Sequence, residues 1–173
     1  LNLGVASGWP HFFWHNWIAL DGGSLLMEYV DFLNEGAKLV HEQVVKAGYD
    51  ISENSPLCLM GEKILALHDG KNQMIHLCTQ NMKSILLWDV PSVLEEDLLD
   101  SKNSEATYFM SKALTHEATH AAQYCNKGNL IAPERASAEI TKWKKESIEL
   151  SLIIGGTKAR EEEAYLLESD PFF

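Results

Sequence analysis

Long apolar runs are missing from this chain of 173 residues: no window approaches the roughly 20 apolar residues that a membrane-spanning helix needs. Basic charge is scarce as well. Lys and Arg total 14 against 25 Asp and Glu, a formal net charge of −11. That balance argues against a nucleic-acid backbone or an anionic membrane surface as the main partner, because both demand clustered cations. The one basic cluster, Lys142, Lys144 and Lys145, reads as a solvated helix face. Only 3 cysteines occur, Cys58, Cys78 and Cys125, and no C-x-x-C pair. A zinc knuckle and a thioredoxin-type motif are thereby excluded. The odd count leaves either three free thiols or one bridge and a spare; free thiols in a reducing, cytoplasmic compartment are the expectation. The aromatic start lacks the cationic flank and aliphatic core of a signal peptide, although a targeting signal upstream of Leu1 stays open.

What the chain does contain is His116-Glu117-Ala118-Thr119-His120, an H-E-x-x-H motif. Residues four apart lie one above the other on a helix, so His116 and His120 can present two imidazole nitrogens to one ion. Zn²⁺ takes such nitrogens at roughly 2.0–2.1 Å and leaves room for a carboxylate and a water in a tetrahedral catalytic shell. Glu117 cannot easily join that shell. It can take a proton from the water that the ion activates, which is the general-base role this motif assigns. The surrounding run is helical in pattern: Leu114, Ala118, Ala121, Ala122 and Cys125 make a small-residue apolar face, and His116, His120 and Gln123 share another. Ser104 is the expected N-cap and Gly128 the stop, giving a helix of about twenty residues.

The remaining composition, 46% hydrophobic and 23% charged, fits one ordinary globular domain. An aromatic-rich segment over residues 1–23 precedes a single domain over residues 24–173. His11 and His15 in that segment are also four apart, but Pro10 sits beside them and no acid lies between, which favours packing over metal binding. Ser24 to Lys46 reads as an amphipathic helix built on Leu26, Val30, Leu33, Ala37, Val40 and Val44 and closed by Gly48, with His41 and Glu42 at the surface. Asp50 to Pro56 reads as a polar loop. Lys63 to His68 and Gln73 to Cys78, around a turn at Asp69-Gly70, read as a β-hairpin. Ser84 to Trp88 adds a third short strand, Val93 to Leu99 one or two helical turns, and Asp100 to Asn103 a linker. Glu134 to Leu150 and Lys158 to Glu168 complete the helices. The expected fold class is α+β, mostly helical, with a small antiparallel hairpin sheet beside the motif helix.

A site with two histidines on one helix normally closes with a carboxylate from a later segment. Glu139 in Arg135-Ala136-Ser137-Ala138-Glu139-Ile140 is one candidate, and Glu161 in Arg160-Glu161-Glu162-Glu163-Ala164-Tyr165 the other; Glu163 is a further option because helix phase is uncertain by a residue. The Glu-x-x-Ala element at Glu161–Ala164, downstream of H-E-x-x-H, resembles the third-ligand helix of many gluzincin-type metallopeptidases. That resemblance implies a zincin-like fold, Glu161 as metal ligand, and Ala164 as the small residue that lets two helices approach. The stretch Leu114–Ala121, with Cys125 and Asn129-Leu130 after it, also resembles the mitochondrial inner-membrane peptidase family that processes an ATP-synthase subunit. Ala138-Glu139-Ile140 and Leu77-Cys78 are similar to elements of that family as well. Where that family often carries an aspartate, this chain has Gln123, as several small bacterial and phage-type zincins do.

The expected activity is a zinc-dependent metallopeptidase, a hydrolase of peptide or protein substrates. His116, His120 and Glu161 bind Zn²⁺, Glu117 serves as general base, and the hairpin lies at the lip of the cleft. Tyr165, Tyr124 and His76 are the candidates for stabilising the oxyanion. The alternative is a catalytically inactive zinc-binding protein that docks a partner.

Overall fold

The computed structural model describes residues 29–88, 95–133, 141–153 and 155–168. The aromatic segment over residues 1–23, and with it His11 and His15, lies outside the described residues, as does Glu139. A 3-10 turn, Tyr29–Phe32, leads into helix α1, Glu35–Lys46. The helix expected to run unbroken through this region is interrupted at Asn34, whose side chain accepts from the Ala37 amide and caps α1. Such a cap satisfies one of the amides that a helix start leaves unpaired. Leu33, Ala37 and Val44 are buried as the periodicity predicts, and Gly48 takes φ +88° just beyond the helix. His41 is only partly exposed and bonds the Tyr29 hydroxyl at 2.8 Å.

Among the described residues there is one sheet, of three strands in the order β1-β3-β2. The hairpin is present: β2, Ala66–Asp69, pairs antiparallel with β3, Met74–Leu77. The expected loop at Asp50 is instead strand β1, Asp50–Glu53, which pairs parallel with β3 and sets Ile51 opposite Ile75. The sheet is therefore mixed, not purely antiparallel. The Ser84–Trp88 run is helical, not extended; it closes α2, Thr79–Trp88, whose first turn is held by Asn54 accepting from the Gln80 amide. A short apolar run does not distinguish strand from buried helix by itself.

The motif helix α3 spans Glu95–Cys125, 31 residues, so the expected linker at residues 100–103 and the cap at Ser104 lie inside it. The polar residues there cost a helix only a few tenths of a kcal/mol each, roughly, and a long helix absorbs that. It ends as expected: Gly128 takes φ +81°, and its amide donates to the Gln123 carbonyl. Leu114 and Ala121 are buried in the core with Met110 and Ala113, whereas Ala122 and Cys125 face outward. Helices α4, Lys142–Ile153, and α5, Lys158–Leu167, follow, and α5 packs along α3. Among the described residues no helix is long and apolar enough to cross a membrane.

Cys58 and Cys78 form a disulfide across 20 residues, and Cys125 is free and exposed. This corrects the expectation of three free thiols and removes its argument for a reducing compartment. The pairing depends on a Cα–Cα approach of 5.4 Å that only the folded chain creates. The same corner is tied by Asn81. Its Nδ2 donates to the carbonyls of Cys58, Gly61 and Ile64, at 3.1, 3.1 and 2.8 Å, fixing the segment that leads into β2. Replacing Asn81→Ala removes this shared side-chain donor, leaving Gly61 O only the Ile64 amide, and should cost about 1–3 kcal/mol. Urea unfolding with the disulfide intact measures the loss; an unchanged midpoint would remove Asn81 from this role.

Candidate metal centre

Helix α3 sets His116 and His120 one turn apart, with ring centroids 4.9 Å apart and planes at 79°. Their Nε2 atoms face each other at 3.2 Å. Helix α5 brings the third group. Thr157 stands at its N-cap and Glu161 in its first turn, with Oε2 at 3.6 Å from His116 Nε2 and 3.4 Å from His120 Nε2. A tetrahedral ion with bonds of 2.0–2.1 Å has ligand atoms about 3.3–3.4 Å apart. The three separations match those edges, so the residues fit a small dication of the zinc type.

Small residues stand around Glu161. Ala164 of α5 is fully buried. Gly156, ahead of α5, lies against the other carboxylate oxygen: a Cβ there would stand 2.5 Å from Glu161 Oε1. Among the described residues His116, His120 and Glu161 are the one group able to hold an ion.

Glu163 is not a ligand here. It is fully buried and accepts from the amides of Ile131 and Ala132 at 2.7 and 2.6 Å and from Gln123 Nε2 at 2.8 Å. Two residues the sequence reasoning passed over belong to the centre. Glu168 Oε2 lies 3.3 Å from His116 Nδ1, while its Oε1 meets Lys144 Nζ at 2.8 Å and Lys112 Nζ at 3.6 Å. A signal for Glu168 was available, since it stands two helical turns beyond Glu161 on the same stripe. His68 of β2 is the other. Its ring lies 6.3 Å from that of His120, and its Nε2 meets the buried Tyr49 hydroxyl at 3.2 Å.

The three candidates for the oxyanion role separate. Tyr165 packs edge-on to His116 at 4.4 Å between centroids, its hydroxyl bonded to Ser147 and pushed up to about 12 by burial. Tyr124 is exposed and covers Gly70 at the hairpin turn, where a Cβ would stand 2.6 Å from its ring. His76 is buried on β3 and bonds Ser52 Oγ at 2.7 Å. It does not face His68 across the ladder, where Leu67 is its partner.

Charge in the cluster is tightly organised. Burial works against a charged His116, but hydrogen bonds to Glu161 and Glu168 overcome it and hold the imidazole up to about 10. His120 is raised against burial by Glu161 and Glu117. Burial would also raise Glu161, yet the two imidazoles take it down to about 2. Glu168 is held low against burial by His116 and Lys144. Burial raises His116's neighbour Glu117, against the pull of both histidines. Burial and His120 push His68 down to about 4. Glu117 also differs from the other acids of the cluster in its contacts. Among the described residues it makes no hydrogen bond and no ion pair.

An α+β domain that buries an H-E-x-x-H helix against a carboxylate on a later helix is thus what the chain builds. The chain belongs to the family described as Domain of unknown function (DUF8637), which matches residues 29–172. No curated protein and no solved structure matches it.

The raised imidazoles give the centre a pH signature. A cation has to displace protons that His116 holds up to about 10, so binding releases protons and strengthens as pH rises. Zinc affinity should climb between pH 6 and 8, by up to about tenfold per unit for each displaced proton. Competition with a chromophoric chelator at several pH values measures it, and a flat profile contradicts the assignment.

Proposed function

We propose that this domain is a zinc-dependent metallopeptidase of the H-E-x-x-H class. The observation that carries the reading is the convergence of Glu161 on the two histidine Nε2 atoms at tetrahedral spacing. A bound Zn²⁺ supplies Lewis acidity toward a scissile carbonyl and brings the pKa of water to about 7. His116, His120 and Glu161 would hold the ion. Glu168 orients His116 through Nδ1, as outer carboxylates do at such centres. Glu117, buried beside the histidines and without a hydrogen bond among the described residues, takes the proton of the attacking water and returns it to the leaving amine. Its raised pKa brings it closer to the neutral range in which proton transfer both ways is efficient. Strand β2 packs on α3 and has one neighbour, β3, among the described residues. Its other edge suits an extended peptide added as a strand.

The rival reading is an inert zinc-binding domain that docks a partner. One pair of variants separates the two, with zinc measured by mass spectrometry and turnover by a quenched-fluorescent peptide library. Wild type should carry one zinc per chain and cleave members of the library. Glu117→Gln should keep its zinc and lose roughly 10²-fold or more in turnover, whereas Glu161→Ala should lose both. A zinc-loaded wild type that cleaves nothing in the library supports the inert reading instead.

A further inference from the structure

The two imidazoles are oriented by different means. His116 Nδ1 faces a carboxylate, Glu168, at 3.3 Å. His120 Nδ1 faces an uncharged amide, Gln123 Oε1, at 2.9 Å. An amide can be turned either way, so what fixes it matters. Gln123 is almost wholly buried, and its Nε2 donates to the Arg160 carbonyl at 3.1 Å and to Glu163 Oε2 at 2.8 Å. Both partners accept, so the NH₂ end must point at them and the oxygen end at His120. A carboxamide oxygen accepts only; His120 Nδ1 therefore carries a hydrogen, and its Nε2 lone pair points toward His116 and Glu161. Glu163 is held in turn by the amides of Ile131 and Ala132, in the loop that follows α3.

From this we infer that Glu163, acting through Gln123, is the positioning residue that selects the metal-binding tautomer of His120. It also couples ligand competence to docking of the loop around Ile131–Ala132. The assignment rests on the metal centre proposed above and gives the buried acid next to the ligand a separate task. It explains why Glu163, two residues from Glu161 and so on another side of α5, is buried without facing the histidines.

The test exchanges polarity within the chain of bonds. In Glu163→Gln the new amide oxygen is expected to keep the Ile131 and Ala132 donors, which leaves its NH₂ against that of Gln123. Gln123 then turns, presents NH₂ to His120 Nδ1 and disfavours the Nδ1–H form. Zinc affinity should fall about ten- to a hundredfold, as for other partners of metal ligands, with the variant still folded by circular dichroism. The double variant Gln123→Glu with Glu163→Gln restores acceptors toward His120 and should recover part of the loss. If Glu163→Gln does not fold, Gln123→Met removes the contact without adding charge and should show the same loss. Imidazole ¹⁵N shifts of His120, read in chelator-treated protein above the pH at which it loses its charge, report the tautomer with no ion bound. They test the inference even if the protein binds no zinc. An unchanged His120 tautomer in a folded Glu163→Gln, or no recovery in the double variant, overturns it.

Discussion

Everything in the centre depends on one contact, the packing of an acid-rich helix against a histidine-bearing one. Helix α5 carries Glu161 and Glu163 at buried positions and the buried Glu168 at its C-cap, and a carboxylate out of water costs several kcal/mol, roughly, unless it is compensated. The three are compensated differently. Glu163 has three N–H donors, and Glu168 has two lysines and an imidazole. Glu161 has the two imidazoles of the motif. Its burial therefore requires positive charge between those rings, as protons or as a cation. Whatever supplies that charge stabilises the α3–α5 packing, so occupancy of the site and stability of the domain are linked.

The part of this that was legible in the sequence is the part that is local. H-E-x-x-H is a spacing of four, and a helix turns that spacing into a shared face without help from the rest of the chain. Periodicity likewise found Leu33, Ala37 and Val44 of α1, Leu114 and Ala121 of α3, and the hairpin. The choice of Glu161 over Glu163 needed the phase of α5, which a run of three glutamates conceals. Glu161, Tyr165 and Glu168 form one stripe at steps of four and three, and each of them touches His116.

What stayed illegible required contacts between distant segments. Strand β1 has only Ile51 as an apolar residue in Asp50–Glu53, so nothing local marks it; its pairing with β3 does. The Cys58–Cys78 bridge is likewise a property of the folded corner. The bridge matters to the centre, because with Asn81 it ties down the segment before β2, the strand that sets His68 beside His120. Tyr49, buried directly before β1, completes that wall by meeting His68. The small mixed sheet thus acts as a template that lays one strand edge along the motif helix.

Glu117 is the residue that hydrogen bonding does not account for. Its neighbours among the buried acids each have partners, and it has neither hydrogen bond nor ion pair among the described residues. Beside Glu161 and Glu168 its carboxyl meets like charge as well as the two imidazoles, and an alanine would fill the same helical position without that repulsion. A helix shaped by stability alone has no use for it. Places where a chain breaks local rules of stability without compensation nearby tend to be the places where it does chemistry. The acid stands beside two imidazoles aligned on a third carboxylate. A water delivered between those groups would lie within reach of the Glu117 carboxyl, and this connects the acid to the activity proposed for the whole domain.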